Sequence, residues 1–228
     1  MPWLERRRTR YAGPHALRLK DVRDDLKTGD ILLFHKSSRN GILDTIEMDL
    51  LAPLFFRETE FRHCGIIARK GDSLSVIECA DRFHSGHDIA SYSFGGSGVR
   101  EVELEPLLER YSIDNAGAHF GVRFIPSEIP EPALREAVHD IGPVSYLKAY
   151  RTASIYLSSF FLPGGVFNKL VDLHATQMMC SEFVHAVLAR CGALRDYTSK
   201  VFAPYILENP DHFSRHDNIG YSEIVRFS

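Results

Sequence analysis

The sequence has few cysteines and no two of them close together: Cys64, Cys79, Cys180 and Cys191 are the four in 228 residues. With no CxxC pair and no dense framework, a disulfide-stapled scaffold is excluded and the four read as reduced thiols. Neither sign of charge is in excess. The 27 basic and 30 acidic side chains leave a formal net charge of -3, so no global field favours nucleic acid as a partner. Metal-ligand spacing is also missing: His35, His84, His87, His174 and His185 form no HxH or HExxH pattern, and neither a metal site nor a cofactor is expected.

Long apolar runs are absent as well. The most apolar stretch, Ile155 to Phe167, is interrupted by Ser158, Ser159, Pro163, Gly164 and Gly165 and is too short to span a bilayer. No apolar segment follows Arg6, Arg7, Arg8 and Arg10 to form the core of a signal peptide, so the expectation is a soluble, cytoplasmic protein. Without repeats, low-complexity tracts or a linker, residues 16–228 are expected to form one domain after a basic, frayed segment over 1–15.

What is present suffices for a sizeable core: 44% of the residues are hydrophobic. Ala16 to Leu26 reads as a short helix ending at Thr28-Gly29, and Asp30 to His35 as a buried strand. Ile42, Ile46, Leu50 and Leu54 recur at helical spacing until Pro53 and its neighbours end the pattern. Phe61 to Arg69 and Ser73 to Ala80 are two strands joined by the turn Lys70-Gly71-Asp72. Val99 to Leu104 is a strand, Pro106 to Tyr111 a short helix, and Ala118 to Ile125 a strand with Phe120, Val122 and Phe124 on one face. Helices follow: one from Pro132 with Leu134, Val138 and Ile141 on one side, and one over Gln177 to Ala189, closed at Cys191-Gly192. Ile224 to Phe227 is a last strand. Strands early and the main helix late predict an α+β domain.

Cys180 shares a helical face with Phe183, Val184, Val187 and Leu188, which turns its thiol inward. Cysteine is among the most buried residue types, so on that ground alone Cys180 is an ordinary core residue. Its place in the first turn is what separates it from the others. There the positive end of the helix dipole favours thiolate over thiol, and the first-turn N–H groups could hold an oxyanion. Cys64 and Cys79 fall within strands, and Cys191 lies near a helix C-terminus, where the dipole disfavours a thiolate.

Strand alternation groups His63, Gly65 and Ile67 on one face and Val76, Glu78 and Ala80 on one face of the partner strand. Pairing Arg69 with Leu74 across the turn sets Gly65 opposite Glu78 and makes His63 and Glu78 diagonal neighbours. Their backbones are then roughly 7–8 Å apart, a gap that two long polar side chains close with a hydrogen bond. His63 as a satisfied interior histidine and Glu78 as a solvated strand-end charge is the plainer account of each alone. Together they fit better as a base and its orienter, because a Glu among Val76, Ile77, Cys79 and Ala80 needs a donor.

The blocks Thr28-Gly29-Asp30-Ile31-Leu32, His63-Cys64-Gly65-Ile66-Ile67, Val76-Ile77-Glu78 and Cys180-Ser181-Glu182-Phe183-Val184 resemble the circularly permuted branch of the NlpC-type papain-like proteins. The likeness is to YiiX-like hydrolases and, more distantly, to lecithin:retinol acyltransferase. The resemblance covers Gly29 to Leu188 and implies a permuted papain-like fold, a central antiparallel sheet packed against the cysteine helix. It also implies Cys180 as nucleophile, His63 as base and Glu78 as orienter. The sequence departs from the family at Arg62, where a small residue is frequent, and at Cys64, where valine is usual. A tyrosine near the thiol is also frequent in the family; Tyr146 and Tyr150 are present, and both are read as structural. Asp30 is read as a turn-fixing acceptor of backbone N–H bonds.

A thiolate beside an imidazole implies acyl transfer through a thioester. Hydrolysis is the leading expectation, and the resemblance implies amides of small peptides or amino-acid conjugates, or lipid amides and esters, as substrates. Acyl transfer to an amine or alcohol is the alternative, and a non-catalytic binding module of the same fold a second. Phe160, Phe161 and Phe167, with Phe55 and Phe56, lean toward an apolar substrate. The arginines at 6–10 raise contact with a membrane surface, for which a solvated tail is the competing account.

Overall fold

A computed structural model describes residues 17–35, 61, 63–80, 88–92, 97–114, 118–146, 177–194 and 224–228. In chain order its strands are β1 (Ile31–Phe34), β2 (His63–Lys70), β3 (Ser73–Ala80), β4 (Asp88–Ser91), β5 (Gly98–Glu103), β6 (Phe120–Arg123), β7 (Ser145–Tyr146), β8 (Gln177–Met178) and β9 (Val225–Phe227). The helices are α1 (Leu19–Val22), continued by a 3₁₀ turn over Arg23–Asp25, then α2 (Leu104–Asp114), α3 (Glu131–Ile141) and α4 (Cys180–Arg190). Seven strands form one antiparallel sheet in the order β4-β5-β3-β2-β1-β6-β9. The domain is α+β, with the four helices packed against that sheet.

The composition of β1 explains the layering. Ile31, Leu32, Leu33 and Phe34 are all fully buried, and a strand apolar at every position fits only where both faces of its sheet are covered. On one face Ile31, Leu33, Cys64, Ile66, Ala68, Ile77 and Cys79 pack with Leu134, Ala137 and Val138 of α3 and Phe183, Val184, Val187 and Leu188 of α4. On the other, Leu32, Phe34, Ile67, Leu74, Val76 and Val102 pack with Leu104, Leu107 and Leu108 of α2 and with Val22 and Leu26. Each fully buried Leu, Ile or Phe contributes roughly 1.5–3 kcal/mol. An exposed ion pair such as Arg23 with Glu105, 2.8 Å apart, contributes about 0–1 kcal/mol. The apolar layers therefore hold the helices to the sheet.

The register that the site depends on comes from one tight turn. Lys70 pairs with Ser73, leaving Gly71-Asp72 as a two-residue hairpin loop, and Gly71 takes φ 61°, the left-handed value such loops need. Arg69 then faces Leu74 and Gly65 faces Glu78, the register expected from the sequence. Gly65 answers to a close approach: a Cβ there would lie 2.6 Å from Cγ1 of Val76. Ahead of β1, buried Asp30 accepts the backbone N–H groups of Lys27 at 2.7 Å and Ile125 at 2.9 Å, as its position in the sequence suggests.

The start of the cysteine helix is corrected. The helix read over Gln177 to Ala189 begins at Cys180 instead; Gln177–Met178 is extended and pairs in parallel with Ser145–Tyr146. The cause is the N-cap. Met179 is extended, at φ -77° and ψ 161°, and its N–H donates to Oε2 of Glu182 at 2.9 Å, so the side chain at the third helical position fixes where the helix starts. Elsewhere α2 extends beyond Pro106 to Tyr111 at both ends, the strand read over Ala118 to Ile125 is confined to Phe120–Arg123, and β4 was not anticipated. The expected basic segment 1–15, the helix over Ile42 to Leu54, the phenylalanines at 55, 56, 160, 161 and 167, Arg62, Tyr150, His84, His87 and His174 lie outside the described residues, as does the side chain of Tyr146. No described helix is long and apolar enough to cross a membrane.

Candidate active site

Three elements bring the predicted residues together. Cys180 is the first residue of α4, and the packing of Phe183, Val184, Val187 and Leu188 on β2 and β3 drives its side chain against the sheet, where it is 1% exposed. His63 is the first residue of β2, so its ring stands at the end of the strand, 16% exposed. Glu78 comes from β3, paired with Gly65, and is buried.

The imidazole joins the other two. Nε2 of His63 lies 2.7 Å from Oε2 of Glu78, and the ring lies near enough to the Cys180 sulfur for each to bias the other's proton. Because Glu78 occupies Nε2, Nδ1 is the nitrogen left for the thiol. Phe34 packs its ring against the imidazole, with centroids 5.2 Å apart, close enough for an imidazolium to draw on the π face.

The charges follow from these contacts. Burial opposes an imidazolium, but the Glu78 carboxylate and the Cys180 sulfur outweigh it and raise His63 from 6.5 to about 10. Burial likewise opposes a carboxylate at Glu78, yet His63 and Arg100 lower it from 4.5 to about 2. A hydrogen bond from Cys64, opposed by burial and seconded by His63, holds Cys180 well below an ordinary thiol. Burial pushes Cys64, Cys79 and Cys191 the other way. Of the four thiols, Cys180 alone is shifted toward thiolate, and His63 beside it is shifted toward imidazolium.

Two participants were not read from the sequence. Arg100, opposite Glu78 in the β3–β5 pairing and 3% exposed, donates from Nε to Oε1 of Glu78 at 2.8 Å, with its Nη2 2.7 Å from the same oxygen, and from Nη1 to Asp88 at 3.1 Å. Each carboxylate oxygen of Glu78 thus has its own cation, one on His63 and one on Arg100. An arginine set among Gly98, Val99 and Val102 is the signal that could have pointed to it, since a buried guanidinium needs a carboxylate. The other is Cys64, read as a small core residue, whose thiol acts on the proton of Cys180.

The arrangement supplies a thiolate, an imidazole able to give and take a proton, and a carboxylate that fixes the ring. A second ionic group, buried Glu101 with half-buried Arg135 and with Ser75, ties α3 to the sheet: Arg135 reaches Oε2 of Glu101 at 2.5 Å and Ser75 reaches Oε1 at 2.6 Å. Among the described residues, no group of three or more His, Cys, Asp and Glu side chains converges as metal ligands would.

No family model matches the sequence. Over 217 residues the chain is 35% identical to "Uncharacterized protein R372" of Acanthamoeba polyphaga mimivirus, a match covering 91% of this chain and 84% of the viral protein.

Proposed function

The chain belongs to the family of that mimivirus protein, and since the relative's name states no activity, we propose from this chain's own site that it is a cysteine-dependent hydrolase acting on an amide, ester or thioester. The observation that carries the proposal is the imidazole of His63, hydrogen-bonded to Glu78 and electrostatically paired with the Cys180 sulfur. We further propose that the fold is the permuted papain-like one. Its support is the order of the parts: a histidine strand early in the chain and a cysteine helix late, joined by a central antiparallel sheet.

In the proposed reaction the Cys180 thiolate attacks the carbonyl carbon, and the oxyanion is held by first-turn N–H groups of α4, which a helix leaves without an intrahelical acceptor. The His63 imidazolium protonates the leaving group, giving an acyl-thioenzyme. A water molecule then loses a proton to the neutral imidazole and attacks the thioester, and Cys180 departs as thiolate. Glu78 stays ionised throughout and favours the imidazolium form. The substrates proposed are small peptides, amino-acid conjugates or lipids carrying an acyl linkage.

The test is incubation of the protein with a panel of peptides, acyl-amides and acyl-esters, followed by mass spectrometry of intact protein and products. Hydrolysis gives a transient adduct at Cys180 and an acyl group ending on water. An acyl group ending on an amine or alcohol would make the protein an acyltransferase. Absence of both turnover and adduct across the panel would support a binding module of the same fold.

A further inference from the structure

Cys64 has no part in the proposed reaction, yet its position is specific. It follows His63 in β2, and alternation turns its side chain to the face that α4 covers, into the same buried cluster as Cys79 and Cys180. Cys64 is fully buried and Cys180 1% exposed, both are free thiols, both belong to the one cluster packed between the sheet and α4, and of the neighbouring groups each acts most strongly on the other's proton. Cys79 is engaged differently, its thiol donating to the carbonyl oxygen of Met178 at 3.5 Å. Helix–sheet packing therefore holds the nucleophilic sulfur beside the Cys64 thiol.

We propose that Cys64 is a resolving thiol, which captures Cys180 after oxidation by a hydroperoxide and closes a reversible Cys64–Cys180 disulfide that switches the site off. The inference rests on the reading of Cys180 as the reactive thiolate. In the first step the Cys180 sulfur attacks the terminal oxygen of the peroxide: an S–O bond forms, the O–O bond breaks, sulfur is oxidised and the peroxide is reduced to an alkoxide. The alkoxide takes a proton from the His63 imidazolium or from water. In the second step the Cys64 sulfur attacks the Cys180 sulfur: the S–S bond forms, the S–O bond breaks, and the departing hydroxide leaves as water with the Cys64 proton.

Proximity is what favours the second step. A thiol held against the sulfenic acid acts at a high effective concentration, whereas an unresolved sulfenic acid proceeds to sulfinic acid, which dithiols do not reverse. The disulfide would thus occupy the nucleophile while preserving it.

The test uses the wild-type chain. Alkylation with iodoacetamide at neutral pH is first measured at each cysteine; the protein is then treated with a stoichiometric hydroperoxide and mapped by non-reducing peptide mass spectrometry. The expected result is a Cys64–Cys180 cross-linked peptide, loss of Cys180 labelling, and its restoration by dithiothreitol. In Cys64→Ala and Cys64→Ser variants the same treatment should yield sulfinic acid at Cys180 and labelling that dithiothreitol does not restore. Sulfinic acid in the wild type with Cys64 unlinked, a Cys79–Cys180 cross-link, or an unmodified Cys180 would overturn the assignment. So would full recovery in both variants. If Cys180 labels fast before peroxide and no cross-link forms, this inference alone fails; if it labels no faster than the other thiols, the hydrolase reading fails with it.

Discussion

Glu78 and Arg100 face each other across β3 and β5, and the guanidinium places Nε 2.8 Å and Nη2 2.7 Å from the one carboxylate oxygen that His63 does not use. Glu78 therefore cannot rotate without breaking a buried ion pair, and Oε2 stays aimed at the imidazole. Arg100 is in this sense a positioning residue for His63, acting through Glu78.

Removing either member of that pair should be costly. Arg100→Gln leaves a buried carboxylate short of a cation, and Glu78→Gln leaves a buried guanidinium short of an anion; each should destabilise by about 3–5 kcal/mol. The double variant should cost less than the sum, by a coupling of roughly 0.5–3 kcal/mol. Urea unfolding of the four proteins measures it. Strict additivity would show that the pair contributes nothing as a pair. Arg100→Lys, which keeps charge and loses the two-pronged contact, should also change the pH profile of Cys180 alkylation, which a residue needed only for folding would leave unchanged.

Glu78→Gln keeps the shape of the side chain and deletes the charge that stabilises the imidazolium. Cys180 alkylation at neutral pH should fall by on the order of 10²-fold, while labelling of Cys191 stays as it was. Equal labelling rates at Cys180 in the variant and the wild type would show that the carboxylate does not set the state of His63.

Stability should vary with pH in a way that carries the signature of the site. Glu78, lowered from 4.5 to about 2, contributes stability that is present above pH 4.5 and lost as pH falls toward 2. His63, raised from 6.5 to about 10, contributes stability present below pH 6.5 and lost as pH rises through 10. Cys180, held well below its ordinary 9.0, contributes stability present above pH 9 and lost as pH falls. Between pH 6.5 and 9 the unfolded chain carries the proton on cysteine and the folded chain carries it on histidine. Proton numbers then match, and these two groups give no slope there. The wild type should show a plateau from about pH 6.5 to 9 with decline on either side. In Cys180→Ala the compensation is gone, so the decline attributable to His63 should begin near pH 6.5. Urea midpoints across pH 4 to 10 for both proteins, compared as a difference, make the check; parallel curves would count against the thiolate–imidazolium pair.

Gly65→Ala should destabilise by about 1–3 kcal/mol through the clash with Val76, and Val76→Ala in the same chain should recover part of that loss. Thermal unfolding of the single and double variants tests it. A Gly65→Ala protein as stable as the wild type would show that β2 and β3 can separate at the site.

Much of this site is legible in the sequence because its parts are local. The turn at Gly71-Asp72 and the alternation on either side of it fix which residues face each other, so the neighbourhood of His63 and Glu78 follows from sequence alone. The place of Cys180 in a first turn also follows, although the start of that helix was read at Gln177, since the Glu182 side chain that stops it is itself inside the helix. What could not be read depends on contacts distant in the chain. Arg100 reaches Glu78 only once β5 pairs with β3, and Cys64 meets Cys180 only once α4 docks on the sheet. Neither β4 nor the short β7–β8 pair has enough residues to show a period, so they left no trace in the pattern.

The most direct measurement is competitive alkylation of all four cysteines as a function of pH, read by mass spectrometry in the wild type and in His63→Ala. An ordinary thiol with a pKa of about 8.5 is only about 0.3% thiolate at pH 6. Cys180 should therefore outpace Cys64, Cys79 and Cys191 by on the order of 10²-fold at that pH and lose the advantage when His63 is replaced. Labelling of Cys180 that rises only above pH 8, or that is indifferent to His63, would contradict a sulfur held as thiolate by its imidazole neighbour.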